Sequence, residues 1–352
     1  MLDRKISNSH PKDLYYQIIR AICIFAVILI HCKNGIEYRE SEFNWNYYYW
    51  IGFRQIINFP VSVFMFLAGY FVNQEVVIIS PKNWVLNRLY RLYLPFLFWS
   101  FLYTIISVRR DFALDFIFVL KTFLKILIGY NGIHLYFVFI LIQLIILTPL
   151  VLKHHNTKIL ILLTCIIFYI LKYISVFNNW KYFEEYWKFL FPCFGIFYIF
   201  GIEIKVSNYK KYLDKIPLFF IVCLMFVFLC FSFFEAFVLN NVGINDNFVV
   251  SQVKLSSVFY SMSVIVFIIK LHDYIKSKSN MNFLILVGNN SFQIYFFHVI
   301  VLLLINKILK IIGIWDIQIL FFVQMIQLLF VLLLSILVIF IEKKFFYRGN
   351  YK

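Results

Sequence analysis

The sequence predicts an all-α fold, a polytopic transmembrane helical bundle of about ten spans with both termini on the cytoplasmic side. Three observations predict it. Of the 352 residues 63% are hydrophobic and 14% charged, and the mean hydropathy of +0.84 lies far outside the range of soluble chains. Apolar runs long enough to cross a bilayer, roughly 20 residues each, recur along nearly the whole length. Most of the 33 basic residues then fall on one side when the runs are threaded alternately through a membrane.

The runs occupy residues 14–33, 47–73, 92–108, 133–152, 159–177, 188–206, 217–239, 248–270, 283–306 and 319–341. Arg4, Lys5 and Lys12 precede the first run and no small-residue cleavage pattern follows it, so it reads as a retained span and not as a signal peptide. An inside N-terminus puts Lys82, Arg88, Arg91, Lys153, Lys158, Lys205, Lys211, Lys215, Lys276, Lys278, Lys343 and Lys344 on the cytoplasmic face. The loops agree: "VLNNVGINDN" has no basic residue and suits the outside, whereas "SNYKKYLDK" and "KLHDYIKSKSN" suit the inside. Residues 109–132 are amphipathic and mixed in charge, which predicts an interfacial or re-entrant piece on the outer side. No internal repeat or long linker appears, so residues 14–341 read as a single membrane domain between short cytoplasmic tails, 1–13 and 342–352.

Several function classes are excluded. The net charge of +16 is dispersed over interhelical loops without a basic block, which argues against a nucleic-acid partner. The six cysteines lie within or at the ends of apolar runs, with no C-x-x-C pair and no metal-ligand spacing, so no metal is expected. Walker, G-x-G-x-x-G, H-E-x-x-H and G-x-S-x-G patterns are absent.

Ionisable groups inside spans are costly and mark function by default. "RAICIFAVILIH" puts Arg20 and His31 eleven positions apart, which returns them to one helix face about 16 Å apart along the axis. Arg20 either snorkels to the headgroups or holds an anion; His31 is either a structural ring or a base. In the second span Arg54 and Asn58 are spaced i, i+4, as an interhelical clamp or as part of the chemistry. Arg88 and Arg91 in "NRLYRLYLPFLFW" are i, i+3 neighbours that either orient the chain or bind phosphates. His134 opens the fourth span, and "GNNSFQIYFFH" places Ser291 and His298 on one face of the ninth. His10, His154, His155 and His272 read as loop residues.

The motifs "LYYQIIRAICIFAVILIH", "FPVSVFMFLAGYF", "NRLYRLYLPFLFW", "IHLYFVFILIQLIILTPLV", "FLFPCFGIFYIFGIEI" and "GNNSFQIYFFHVIVL" occur in the order seen in the acyltransferase-3 family of integral membrane proteins, which the chain resembles over roughly residues 14–341. The resemblance implies transfer of an acyl group, most often acetyl and sometimes succinyl, from acyl-CoA to sugars of bacterial surface polysaccharides or their lipid-linked precursors. It also implies a multi-pass protein of the bacterial inner membrane. Many members carry an acidic residue three positions before the first-span arginine; here that residue is Gln17. His134 in "HLYF" stands where one branch has a glutamate-containing motif, as in the shorter stand-alone members. With no hydrolase-like domain after the last run, the membrane domain is expected to perform the whole transfer.

Combined with the spacing, the resemblance implies that Arg20, Arg88 and Arg91 bind acetyl-CoA or another acyl-CoA as co-substrate, whose pantetheine arm matches the span from Arg20 to His31. His31 is the implied catalytic base, with Arg20 beside it in the catalytic pair. Arg54, Asn58, His134, Ser291 and His298 are the implied acceptor-binding residues, with stabilisation of the oxyanion the alternative role for Arg54, Asn58 or Ser291. The partners implied are acyl-CoA, a surface glycan or lipid-linked sugar, and the bilayer; the sequence sets no oligomeric state. The rival expectation is a flippase or exporter of lipid-linked oligosaccharide, which predicts polar residues on many helices and internal symmetry.

Overall fold

The computed structural model describes residues 11–32, 45–108, 116–207, 210–272, 281–313 and 320–347, and among them there is helix and no strand. In chain order the helices are α1 (Pro11–His31), α2 (Trp45–Ile56), α3 (Pro60–Tyr70), α4 (Gln74–Ile79), α5 (Pro81–Val108), α6 (Phe116–Ile128), α7 (Tyr136–Lys153), α8 (His155–Phe177) and α9 (Lys181–Tyr186). There follow α10 (Gly195–Val206), α11 (Lys210–Leu213), α12 (Leu218–Asn241), α13 (Asp246–Val249), α14 (Leu255–Leu271), α15 (Asn282–Asn289), α16 (Ser291–Ile312) and α17 (Leu320–Tyr347). The polytopic all-α fold predicted from the sequence is the one observed.

Among the described residues eight helical segments are long and apolar enough to cross a membrane: Leu14–His31, Trp45–Tyr70, Pro81–Ser107, Tyr136–Lys153, His155–Phe177, Leu218–Asn241, Ser291–Ile312 and Phe321–Phe340. Leu255–Leu271 is a shorter apolar helix. The run at 188–206 differs most from expectation. It folds as two 3₁₀ turns, Trp187–Phe189 and Phe191–Cys193, before the 12-residue α10, which at ~1.5 Å per residue reaches only about 18 Å. The second run is broken at residues 57–59 and the ninth at Asn290. The third begins earlier than predicted, because α5 takes in Arg88 and Arg91. Of the amphipathic piece 109–132, residues 109–115 lie outside the described residues; α6 is 13 residues long, too short to span, and has no buried residue. The outward faces are greasy: on α12, Phe219, Phe226 and Phe234 are exposed, an arrangement stable only where lipid tails replace water.

The chain divides into two compact units. The first comprises the described parts of Met1–Pro60, Leu213–Gln252 and Ser256–Lys352. Here α1 lies against α15 at backbone distance: a Cβ on Gly288 would meet the Gln17 carbonyl oxygen at 1.9 Å, so only glycine permits the crossing. Farther along α1, Ala26 and Ile30 pack on Ile57, with Leu29, Phe53 and Phe59 around them. Between α2, α12 and α14 runs a buried polar seam in which Ser232 Oγ donates to Gln55 Oε1 at 3.0 Å and lies 3.4 Å from Ser257 Oγ.

The second unit comprises the described parts of Val61–Tyr212 with Val253–Leu255. Two glycines make a reciprocal crossing of α3 and α10: a Cβ on Gly69 would lie 2.1 Å from the Tyr198 carbonyl oxygen, and one on Gly201 would lie 2.2 Å from that of Phe66. Inside this unit Lys172 of α8 is 1% exposed, its ammonium on the Glu184 carboxylate and 4.3 Å from the Trp187 ring centroid. Ser175 Oγ donates to the same carboxylate. The buried ammonium thus has a counter-ion, a hydrogen-bonded carboxylate and an aromatic face around it, as a buried charge requires.

Candidate active site

In the first unit Arg54, Asn58 and His298 gather at the C-terminal end of α1, the end that carries His31. His31 is the last residue of that helix, where carbonyls lack partners inside the helix. Two side chains take up these groups on either side of His31. Arg54 Nη1 donates to the Ile30 carbonyl at 3.3 Å, and Gln324 Nε2 donates to the Cys32 carbonyl at 2.9 Å. The Arg54 cation thus sits at the negative end of the α1 dipole, where a positive charge is stabilising. Its Nη2 donates to the Val250 carbonyl at 3.0 Å and to Asn58 Oδ1 at 3.3 Å. Arg54 is therefore placed as a buried interhelical clamp, the first of its two sequence-level readings, while Asn58 lies in the break after α2 rather than within a continuous helix.

Against His31 lies His298, with ring centroids 5.3 Å apart and planes at 50°. His298 is fully buried. Its Nδ1 is 2.7 Å from the Tyr295 carbonyl; a carbonyl only accepts, so this nitrogen carries the hydrogen and Nε2 of the neutral ring keeps its lone pair. The seven-residue spacing puts Ser291, also buried, on the His298 face of α16.

Toward the other end of α1, Arg20 Nη1 donates to Gln17 Oε1 at 3.3 Å. A neutral amide accordingly takes the place at which many family members carry an acid. Nearby in the same unit His272 stacks on Tyr16, with centroids 5.5 Å apart at 19°, and Tyr15 donates to the Ile268 carbonyl. His272 serves packing at this point.

In the second unit Arg88 lies 5.2 Å from the Trp84 ring centroid and within electrostatic range of Arg91, Tyr198 and Lys205. Arg88 is half-buried and Arg91 exposed. Tyr198, fully buried, shares a 2.7 Å hydrogen bond with Thr148, and Lys205 Nζ donates to the Val72 carbonyl at 3.1 Å. These residues gather cations beside a fixed phenol, an arrangement suited to phosphate oxygens. His134 is buried in this unit with its ring edge against Tyr103, centroids 5.1 Å apart. Outside the spans, Tyr130 donates to Glu185, and that bond, aided by burial, pushes its phenol up to about 12.

Sequence reasoning missed Gln324, Lys205 and the Lys172–Glu184 pair. Lys205 carried a signal, as a cation about one turn from Gly201 and two from Tyr198 on the same helix. Gln324 had none beyond being an amide in a span. Among the described residues no group of three or more His, Cys, Asp or Glu side chains is placed to hold a metal ion.

A polytopic helical protein with an arginine and a histidine on its first span, the carbonyls on either side of that histidine held by side chains, carries a candidate site inside a membrane domain. Residues 13–341 match the family model described as an acyltransferase domain, and the chain belongs to this family, acyltransferase-3. It is a membrane acyltransferase. No curated protein and no solved structure is similar enough to the chain to count as a match.

Proposed function

We propose that the protein transfers an acyl group, acetyl in the first instance, from cytoplasmic acyl-CoA to a hydroxyl of a surface polysaccharide or lipid-linked sugar, in a bacterial inner membrane with both termini inside. The observation that carries this reading is the bracing of His31. A general base gains most when its ring is held in one place at the point of attack. In the proposed step a sugar hydroxyl gives its proton to His31 as its oxygen bonds to the thioester carbonyl carbon. The tetrahedral intermediate then expels CoA, whose sulfur recovers that proton, leaving a sugar ester and free CoA thiol.

Arg20 keeps its assignment from the sequence to the anionic and polar parts of acyl-CoA; within the second unit Arg88 and Arg91 keep the same assignment, and Lys205 joins those two from its proximity to Arg88. Ser291 and His134 remain candidates for holding the acceptor, and His298, enclosed beside His31, acts in this reading as a positioning residue for the base. The carrier alternative is disfavoured because Arg54 and His298, both buried in the first unit, gather around the one turn that bears His31.

The test uses membranes containing the protein, [¹⁴C]acetyl-CoA, and the surface glycan or lipid-linked glycan of the producing cell. Alkali-labile label on glycan, with one free thiol released per acetyl transferred, is the expected result. Glycan translocation without labelling or thiol release would overturn the proposal in favour of a carrier.

A further inference from the structure

Asn58 is fully buried and its amide orientation follows from chemistry. Arg54 Nη2, 3.3 Å away, only donates, so the atom facing it is the amide oxygen and the –NH2 points elsewhere. That Nδ2 is shielded from solvent and has no hydrogen-bond partner among the described residues. Leaving a buried donor unpaired costs free energy, and a native protein that tolerates it at one position commonly has a use for it.

The position connects this donor to the proposed base. The guanidinium that takes Asn58 Oδ1 on Nη2 holds the carbonyl of Ile30, the residue before His31, on Nη1. Ile57 and Phe59, on either side of Asn58, pack with Ile30 and Leu29. One planar, five-donor group therefore fixes both the turn that carries the imidazole and the amide that carries the spare N–H.

We propose that Asn58 is a catalytic residue, its Nδ2–H donating to the acyl carbonyl oxygen as that oxygen becomes an oxyanion, with Arg54 as the residue that positions it. The inference rests on the acyl-transfer reading of His31. When the sugar oxygen bonds to the carbonyl carbon and its proton moves to His31, the carbonyl π pair shifts onto oxygen, and Asn58 hydrogen-bonds that charge without changing protonation. When the C–S bond breaks the pair returns, and the CoA sulfur takes the proton from His31. A donor already held in a buried site helps because it stabilises the transition state more than the ground-state thioester.

Asn58→Asp is the informative variant. It preserves shape and keeps an oxygen for Arg54, now as a carboxylate paired with the guanidinium, but deletes both N–H donors. In membranes assayed with [¹⁴C]acetyl-CoA and the glycan of the producing cell, kcat is expected to fall by about 10²- to 10³-fold, the usual loss of one oxyanion donor, while membrane insertion and the acetyl-CoA dissociation constant stay at wild-type values. Asn58→Leu, which needs no partner at this site, is read in the same way should the aspartate variant not insert. Wild-type turnover in either folded variant overturns the proposal, and so does a loss of turnover that is matched by a loss of acetyl-CoA binding, the pattern of a purely structural residue. His31→Gln is assayed in parallel: an active glutamine variant removes the His31 reading itself, whereas an inactive one beside an active Asn58→Asp removes only the oxyanion assignment.

Discussion

Replacing Gly288 by alanine tests whether the α1–α15 crossing sets the geometry of the site. A Cβ at this position would lie 1.9 Å from the Gln17 carbonyl oxygen, 2.6 Å from its carbonyl carbon and 3.0 Å from its Cα. All three are backbone atoms of a packed helix, so no rotamer change relieves the clash. To bring the shortest contact to 3.0 Å, the helices must separate by roughly 1.1 Å. Overpacking of this kind costs about 1–3 kcal/mol, partly offset by the roughly 1 kcal/mol that alanine gains over glycine inside a helix. The displaced segment bears Gln17, which holds Arg20, and misplacement by ~1 Å in an active site can cost about 10²-fold in rate. Gly52→Ala is the matched control. It carries the same helical gain, but its Cβ meets only the tip of the Phe233 ring, at 3.2 Å, which can swing aside. Thermal unfolding in detergent and acetyl transfer in membranes should both fall for Gly288→Ala and hold for Gly52→Ala. Equal stability and activity in the two variants would refute the argument that this crossing is at its closest approach.

Lys172→Met alone should destabilise the second unit by about 1–2 kcal/mol, less than the full cost of breaking a buried pair, because the Glu184 carboxylate it leaves unpaired is a third exposed. The double variant Lys172→Met/Glu184→Gln should recover most of that loss, as measured by thermal unfolding. Replacing Arg88 and Arg91 together by glutamine should raise the KM for acetyl-CoA and leave membrane insertion intact; unchanged donor affinity in inserted protein would assign both residues to chain orientation.

What was legible in the sequence was whatever leaves a local trace. Apolar runs of span length give the helices, and the eleven-residue spacing of Arg20 and His31 puts both on α1 because that separation closes three helical turns. The pairing of Arg54 with Asn58 was also visible, since neighbours four apart meet even where the helix ends between them. What escaped depends on chain segments brought together by packing. Gln324 reaches the Cys32 carbonyl across 292 positions of sequence, and nothing near either residue announces it. His298 was a candidate from its own span, but its contact with His31 joins α1 to α16 and has no periodic signature. The run at 188–206 is as apolar as a true span, yet it winds into 3₁₀ turns where Pro192 removes a backbone donor and Phe194 begins the turn into α10. Composition reports greasiness, not whether one helix persists through it.

The account stands on His31 as the base that takes the proton of the acceptor hydroxyl. The most direct measurement is the rate of acetyl transfer by His31→Gln, set beside His31→Ala, in protein whose insertion and acetyl-CoA binding match wild type. Glutamine keeps hydrogen-bonding capacity beside His298 but takes no proton near neutral pH. Both variants are predicted to lose about 10²- to 10⁴-fold in turnover, the usual contribution of a general base, while donor binding is retained. A glutamine variant that transfers acetyl at close to the wild-type rate would contradict the account and leave His31 as a ring that only orients or packs.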